Sequence, residues 1–154
     1  MGDHMLPSVG GSYVLLLKAS YSASLTVGRL GTVTVAPGWY LYVGSALGPG
    51  GLRGRLHHHM RPLQRPHWHI DYLRQVCDVA AVWYVIDERR WEHQWAHLLA
   101  ESASFAPCPR FGASDCRCIA HCFHQSTAPS LAHFVTSARQ AHPDHPEMNC
   151  VSLP

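Results

Sequence analysis

Long apolar runs and alternating stretches fill the first half of the chain, and both patterns predict β-strands. The run GSYVLLLKA at 11–19 does not alternate, which is typical of a central strand buried on both faces. The segment SLTVGRLGTVTVAPG at 24–38 alternates around two glycines and predicts a hairpin. Further strands are predicted for WYLYVGSA at 39–46 and DVAAVWYVID at 78–87.

Other segments of the chain are predicted to be helices. The segment RRWEHQWAHLLAES at 89–102 carries its apolar residues at the spacing of one helix face. Shorter helices are predicted for LRGRLHHHMR, HWHIDYLRQV and SLAHFVTSAR, at 52–61, 67–76 and 130–139. A Gly- and Cys-rich loop at 105–124 leads into a short strand. The tail 142–154 contains three prolines and is predicted to be poorly ordered.

Length and composition favour one globular domain over residues 6–141. The chain has 154 residues, of which 47% are hydrophobic and 14% charged, enough to bury a sizeable core. No window of eighteen uncharged apolar residues occurs, so no membrane span is expected. Residues 1–5, MGDHM, lack the features of a signal peptide and are interpreted as a vector-derived remnant. A chain of this size does not need its six cysteines as a disulfide framework, which favours a reduced, cytoplasmic protein.

Charge is distributed unevenly along the chain. Between His4 and Ile70 there is no Asp or Glu, and four of the arginines in this span crowd into 53–65. Phosphates attract Lys and Arg strongly because binding releases counterions. We therefore interpret this half as a surface that faces a polyanion, the alternative being a solvated face that merely lacks acids.

Four side chains from this basic half suggest a reactive site. Tyr13 and Tyr42 lie on predicted strands, and Arg55 and His59 lie one turn apart on the helix that follows. A guanidinium can grip a phosphate with two hydrogen bonds, and a histidine can move a proton near neutral pH. Together these groups suit hydrolysis of a phosphodiester. Tyr40 shares a face with Tyr42 and is a second candidate for its role.

The stretches GSY, YVGSA, RLHHH, HWHIDYL and FGASDC, in this order, resemble the GIY-YIG nuclease superfamily. The closer resemblance is to its Uri-type endonuclease branch, some members of which are fused to an endonuclease III-like glycosylase. The similarity runs from about Gly11 to Phe123, and YVGSA with HWHIDYL is its most specific part. Ser12 stands where the motif usually has Ile, and the predicted hairpin lengthens the interval between the two motif tyrosines.

The resemblance implies an α+β fold, a small antiparallel sheet with a three-stranded core plus the extra hairpin, flanked by helices. It also implies roles for the matching residues. Tyr13 would act as general base or position the attacking water, Tyr42 and Arg55 would stabilise the phosphate, and His59 matches the family's histidine. One divalent ion, Mg²⁺ or Mn²⁺, would be held by Glu92.

Glu92 has few competitors as the metal ligand, because the chain contains only ten acidic residues. Asp71, Asp115 and Glu88 are the alternatives. One carboxylate with substrate phosphate oxygens is typical of Mg²⁺. Glu92 could instead serve only the dipole at the start of its helix.

Other basic residues could contact the nucleic acid. We expect this nucleic acid to be DNA, and RNA is left open. The sequence does not indicate the oligomeric state. The candidates are Arg53, Arg61, Arg65, His67 and His69. Two alternatives stay open: Arg53 could be an ordinary surface residue, and His67 and His69 could form a metal site with Asp71.

The cysteines offer a rival interpretation, a structural zinc site. Cys108, Cys116, Cys118 and Cys122 could supply the ligands, with His121 and His124 nearby. Their spacing is not that of a zinc finger, so structural zinc is not expected and buried free thiols are preferred.

The sequence therefore predicts a metal-dependent endonuclease acting on DNA, with a role in repair suggested by the fused relatives. The alternative is a non-catalytic nucleic-acid-binding module on the same scaffold. A zinc-binding interaction domain is a third hypothesis.

Overall fold

The computed structural model describes residues 6–62, 65–66, 68–113 and 117–153, and within them the chain forms two antiparallel sheets and four α-helices. The strands are β1 (Gly11–Ala19), β2 (Ala23–Val27), β3 (Gly31–Val35), β4 (Gly38–Ala46), β5 (Asp78–Ile86), β6 (Ala106–Pro107), β7 (Cys122–Gln125) and β8 (Asn149–Ser152). The helices are α1 (Gly51–Met60), α2 (His69–Leu73), α3 (Glu92–Glu101) and α4 (Leu131–Ala141). The predicted α+β class is confirmed.

The main sheet has the strand order β6-β7-β4-β1-β5-β8, and β2 and β3 form the separate predicted hairpin. Strand β1 lies between β4 and β5, which explains why its apolar run does not alternate. The main sheet has six strands among the described residues, more than the three-stranded core that the resemblance implies. The additional strands are short, from two to four residues, and such segments leave little periodic signal in a sequence.

Alternate residues of β1 divide the core into two layers. Tyr13, Leu15 and Leu17 belong to a cluster with the buried residues of α1 and α2. Val14 and Leu16 belong to a second cluster with the buried residues of α3 and α4. We call the two sides of the main sheet the α1 face and the α3 face.

The start of α1 determines where Arg55 lies. Gly51 has φ +59°, and a Cβ there would stand 2.4 Å from the Val9 carbonyl oxygen, so the position requires glycine. The Leu52 amide donates to the Val9 carbonyl at 2.9 Å, and the Arg53 amide donates to the Pro7 carbonyl. The helix is thereby anchored with Leu52 buried against the sheet, while Arg55 is half-buried at its border.

The tail differs from its prediction. Within 142–153, β8 pairs with the edge of β5, and Val151 is buried. His145 is also buried, and its Nε2 accepts a hydrogen bond of 2.9 Å from Trp95 Nε1 of α3. These partners are distant in the chain, so local composition does not indicate them.

None of the helices in the described part is long and apolar enough to cross a bilayer.

Candidate active site

Tyr13 and His59 form a buried hydrogen-bonded pair on the α1 face. The Tyr13 Oη lies 2.7 Å from His59 Nε2, and each residue is 1% exposed. Across the strand pair, Tyr13 stands opposite Gly44. The Tyr13 ring occupies the space that a side chain at Gly44 would need. The glycine of the YVGSA stretch therefore makes room for the tyrosine of the GSY stretch.

Both members of this pair are neutral at neutral pH. Burial raises the pKa of the Tyr13 phenol well above its usual range, and the nearby Arg55 charge offsets only part of this. Burial and then the charge of His58 lower the pKa of His59 to about 3. His59 Nδ1 is buried and has no hydrogen-bond partner among the described residues.

Acidification is expected to destabilise the wild-type protein more than a His59→Gln variant. Unfolded His59, with a pKa of 6.5, takes up a proton as the pH falls, whereas folded His59 resists protonation until about 3. The contribution of neutral His59 to the free energy of unfolding is therefore fully present above the unfolded pKa. It falls by up to about 1.4 kcal/mol per pH unit between the unfolded and the folded pKa. Urea unfolding across this range measures the effect, with His133→Gln, an exposed histidine on α4, as the control. Parallel profiles for the wild type and His59→Gln would contradict a buried neutral imidazole.

Tyr42 joins Tyr13 on the α1 face, because it pairs with Leu15 of β1. Its ring centroid lies 6.3 Å from that of His59. Burial and then the neighbouring Tyr13 raise the pKa of Tyr42, so it too keeps its proton. Tyr40 also faces this side, but its hydroxyl accepts a 2.9 Å hydrogen bond from the Ala36 amide and serves the preceding turn.

Arg55 lies against Trp68 at the border of α1. Its Cζ is 4.6 Å from the centroid of the Trp68 ring, a cation–π contact that holds the guanidinium in place. A cavity of about 210 Å³ opens beside it. The cavity is lined by Ala46, Gly48, Pro49, Gly51, Gly54, Arg55, His58 and Trp68. It adjoins the end of β4 and can admit a phosphate-sized group.

Glu92 is the first residue of α3 and a fixed, ionised carboxylate. Ser45 Oγ donates to its Oε1 at 2.9 Å, and His121 Nδ1 lies 3.4 Å from its Oε2. Burial alone would raise the pKa of Glu92, but the contacts with His121 and Ser45 outweigh this and hold it below its usual range. The side chain remains 14% exposed, so the carboxylate is reachable from solvent.

These groups approach one end of β4 from both faces. The register puts Tyr13 and Tyr42 on the α1 face and Ser45, with Glu92, on the α3 face. The β7 ladder pairs with β4 from Trp39 to Tyr42, and the Val43 amide donates to the His121 carbonyl at 2.8 Å, so among the described residues the strand edge beyond Val43 lies outside this pairing. The Glu92 charge also contributes to the raised pKa of both phenols. Glu92 thus faces a different side of the sheet from Tyr13 and Tyr42, but near the same strand end.

The structure also shows the surroundings of two of the three carboxylates considered as alternative metal ligands. Asp71 is fully buried, accepts a 2.9 Å hydrogen bond from the Trp68 amide and contacts His58 Nε2 at 3.3 Å. It therefore stabilises the start of α2. Glu88 is exposed, and Asp115 lies outside the described residues.

The predicted nucleic-acid contacts fall into two groups. Arg53, Arg61 and Arg65 are exposed. His69 Nδ1 accepts a 2.8 Å hydrogen bond from the Gly112 amide, which ties α2 to the loop beside Tyr42. His67 lies outside the described residues.

Sequence reasoning missed two serines of the motifs. Ser12 is buried on the α3 face, and its Oγ accepts a 3.0 Å hydrogen bond from the Trp91 amide just before α3. Ser45 orients Glu92 from the neighbouring strand. Strict alternation along β1 and β4 would have put both hydroxyls on the face opposite the tyrosines, which is the signal that could have found them.

The structure places the described cysteines of the zinc interpretation on two faces of the main sheet. Cys108 and Cys122 pack in the cluster on the α1 face, whereas Cys118 packs against the cluster on the α3 face. Cys116 lies outside the described residues. Cys108 and Cys122 therefore share one layer of the protein, and Cys118 lies in the other.

Comparison with known proteins identifies a family whose description states no function. No curated protein and no solved structure matches the chain. A family model described as "Domain of unknown function DUF123" matches residues 12–143, a range that includes Tyr13, Tyr42, Arg55, His59 and Glu92. Since the match covers most of the chain, the protein belongs to the family Domain of unknown function DUF123.

Proposed function

We propose that this protein is a metal-dependent endonuclease of the GIY-YIG type, Uri branch, which hydrolyses phosphodiester bonds in DNA. One observation carries the proposal. Tyr13, Tyr42, Arg55 and His59 adjoin one end of β4 on the α1 face, and the ionised Glu92 approaches the same end from the α3 face.

The Tyr13–His59 pair would handle the proton of the attacking water. Tyr13 is a neutral phenol, so it can accept a proton from water only while passing its own proton to His59 Nε2, 2.7 Å away. The low pKa of His59 makes it a weak base in the free protein. A bound phosphodiester anion beside it favours the imidazolium form and raises that pKa. Substrate binding would therefore activate the base.

Arg55 and Tyr42 would stabilise the phosphate. The guanidinium can donate two hydrogen bonds to the non-bridging oxygens, which gain charge in the transition state. Tyr42 keeps its proton and can donate a third. Both groups are held by packing, Arg55 on Trp68 and Tyr42 beside Phe111, whose ring centroid is 6.5 Å away.

Glu92 fits a divalent ion of the Mg²⁺ or Mn²⁺ class. It is ionised, partly exposed and oriented by Ser45 and His121, while the exposed Arg90 places its Nε 3.6 Å from Oε1. Each carboxylate oxygen has two lone pairs, so a cation can share the carboxylate with these contacts. Mg²⁺ sites commonly use one or two carboxylates together with substrate phosphates. When bound, the ion would stabilise negative charge on the departing oxygen.

The basic surface supports a nucleic-acid substrate. Arg53, Arg61 and Arg65 are exposed on and just after α1, the helix that carries Arg55. Positive side chains at this border would hold the phosphates that flank the one being cut. A role in DNA repair and a cytoplasmic location belong to the proposal as well.

A metal-dependent cleavage assay tests the proposal. Branched, single-stranded and duplex DNA, and RNA of matched sequence, are incubated with Mg²⁺, Mn²⁺ or EDTA, using the wild type and Glu92→Gln. We expect DNA products with either metal, none with EDTA, and none from Glu92→Gln. Binding that weakens with salt but gives no metal-dependent products would instead favour the non-catalytic module.

A further inference from the structure

We infer that His93, Cys118 and His121 form a site for a zinc-class transition metal on the α3 face, next to Glu92. One ligand atom from each residue lies within 4.8 Å of the other two. His93 Nδ1 is 3.3 Å from Cys118 Sγ, and the two histidine rings have centroids 5.4 Å apart. This inference does not depend on the proposed nuclease activity.

The three residues come from two separate elements that pack together. His93 lies in the first turn of α3, and the other two lie in the loop before β7. His121 is 4% exposed, while His93 and Cys118 are half-buried. An open cavity of about 760 Å³ borders His93 and Cys118 and gives an ion access from solvent. A metal here would join the loop to the helix.

The ligand chemistry selects zinc over magnesium. Two imidazoles and a thiolate are the ligands of Zn²⁺ sites, whereas Mg²⁺ takes oxygen ligands. In a tetrahedral site with bonds of about 2.0–2.3 Å, neighbouring ligand atoms stand about 3.3–3.6 Å apart. The separation of His93 Nδ1 and Cys118 Sγ already has this value. The remaining ligand pairs, within 4.8 Å of each other, need to close by at most about 1.5 Å, and the fourth position is left to water.

The site would also orient Glu92. His121 Nδ1 faces Glu92 Oε2 at 3.4 Å, so ligation through Nε2 leaves the Nδ1–H to donate to the carboxylate. Metal-bound histidines commonly make this second hydrogen bond. The cysteine spacing did not suggest zinc, but the donor set here contains one of those cysteines and two histidines, one from another element.

Elemental analysis of untagged protein purified without chelators tests the inference. We expect about one zinc per chain in the wild type and loss of that zinc in Cys118→Ser and His93→Gln. The matched control is Cys150→Ser, which removes an exposed thiol on β8 and should retain the metal. Equal zinc in Cys118→Ser and the wild type would overturn the site, since adventitious binding, for example at His57–His59, survives that change.

Two measurements keep the test decisive if a variant fails to fold. Co²⁺ added to metal-free wild type should produce a thiolate-to-cobalt charge-transfer band and tetrahedral d–d bands. In the same protein, zinc should protect Cys118 from alkylation, read by mass spectrometry, while Cys150 reacts with or without metal. Absence of both the cobalt bands and the protection would refute the site. Because neither readout involves DNA, a failed cleavage assay leaves this result intact.

Discussion

Arg55→Ala is expected to lower the rate of DNA cleavage by about a hundredfold to a thousandfold while the protein stays folded. The half-buried guanidinium is held 4.6 Å above Trp68, beside the cavity at the end of β4. A preorganised charge of this kind stabilises the transition state at no cost of reorganisation, and alanine removes it. The loss should appear mainly in kcat, because the exposed arginines nearby still bind DNA.

The matched control is Arg53→Ala, two positions earlier on α1. It removes the same charge from an exposed position and should weaken DNA binding slightly without a comparable loss of kcat. Single-turnover cleavage, DNA binding at two salt concentrations and thermal unfolding are measured for both variants. Equal losses of rate in the two would mean that Arg55 acts as general positive charge, and the proposed phosphate contact would be rejected.

Gly44→Ala is expected to lower the free energy of unfolding by about 1–3 kcal/mol. A Cβ at this position would stand 2.5 Å from both Cζ and Oη of Tyr13, closer than any real contact. The Tyr13 ring cannot move aside freely, because it is buried and hydrogen-bonded to His59. Either the β1–β4 pair or the Tyr13–His59 contact has to yield, so cleavage should fall along with stability.

Gly48→Ala supplies the control in the loop after β4. No described atom lies within 4 Å of a Cβ built there, so its stability should remain within about 0.5 kcal/mol of the wild type. Urea unfolding of the three proteins at one pH gives the comparison. Should Gly44→Ala prove as stable as Gly48→Ala, the close approach of Tyr13 to β4 would be wrong.

The elements with strong internal patterns could be predicted from the sequence. The apolar run of β1, the alternation of the hairpin and the helical spacing around Trp95 all correspond to observed elements. Strand β8 could not be predicted, because its pairing depends on β5, far away in the chain. Helix α2 has five residues, fewer than its pattern predicts, and its start depends on the contact of Asp71 with the Trp68 amide.

The candidate site likewise contains residues that the sequence predicts and contacts that it does not predict. Tyr13, Tyr42, Arg55 and His59 occur in recognisable motifs, and their placement on the α1 face follows from strand alternation and helix spacing. The contacts of Glu92 with Ser45 and His121 depend on how α3 and a later loop pack on the sheet. The cluster of His93, Cys118 and His121 depends on the same packing, which no local spacing encodes.

The pairing of β1 with β4 implies how an error in strand register would disrupt the candidate site. Side chains alternate along both strands, so a slip of either strand by one residue would exchange its two faces. The phenol of the slipped strand would then point toward α3, and the serine of that strand would point toward α1. Misaligned molecules could retain nearly all their backbone hydrogen bonds and normal circular dichroism, yet lack the proposed phosphate site.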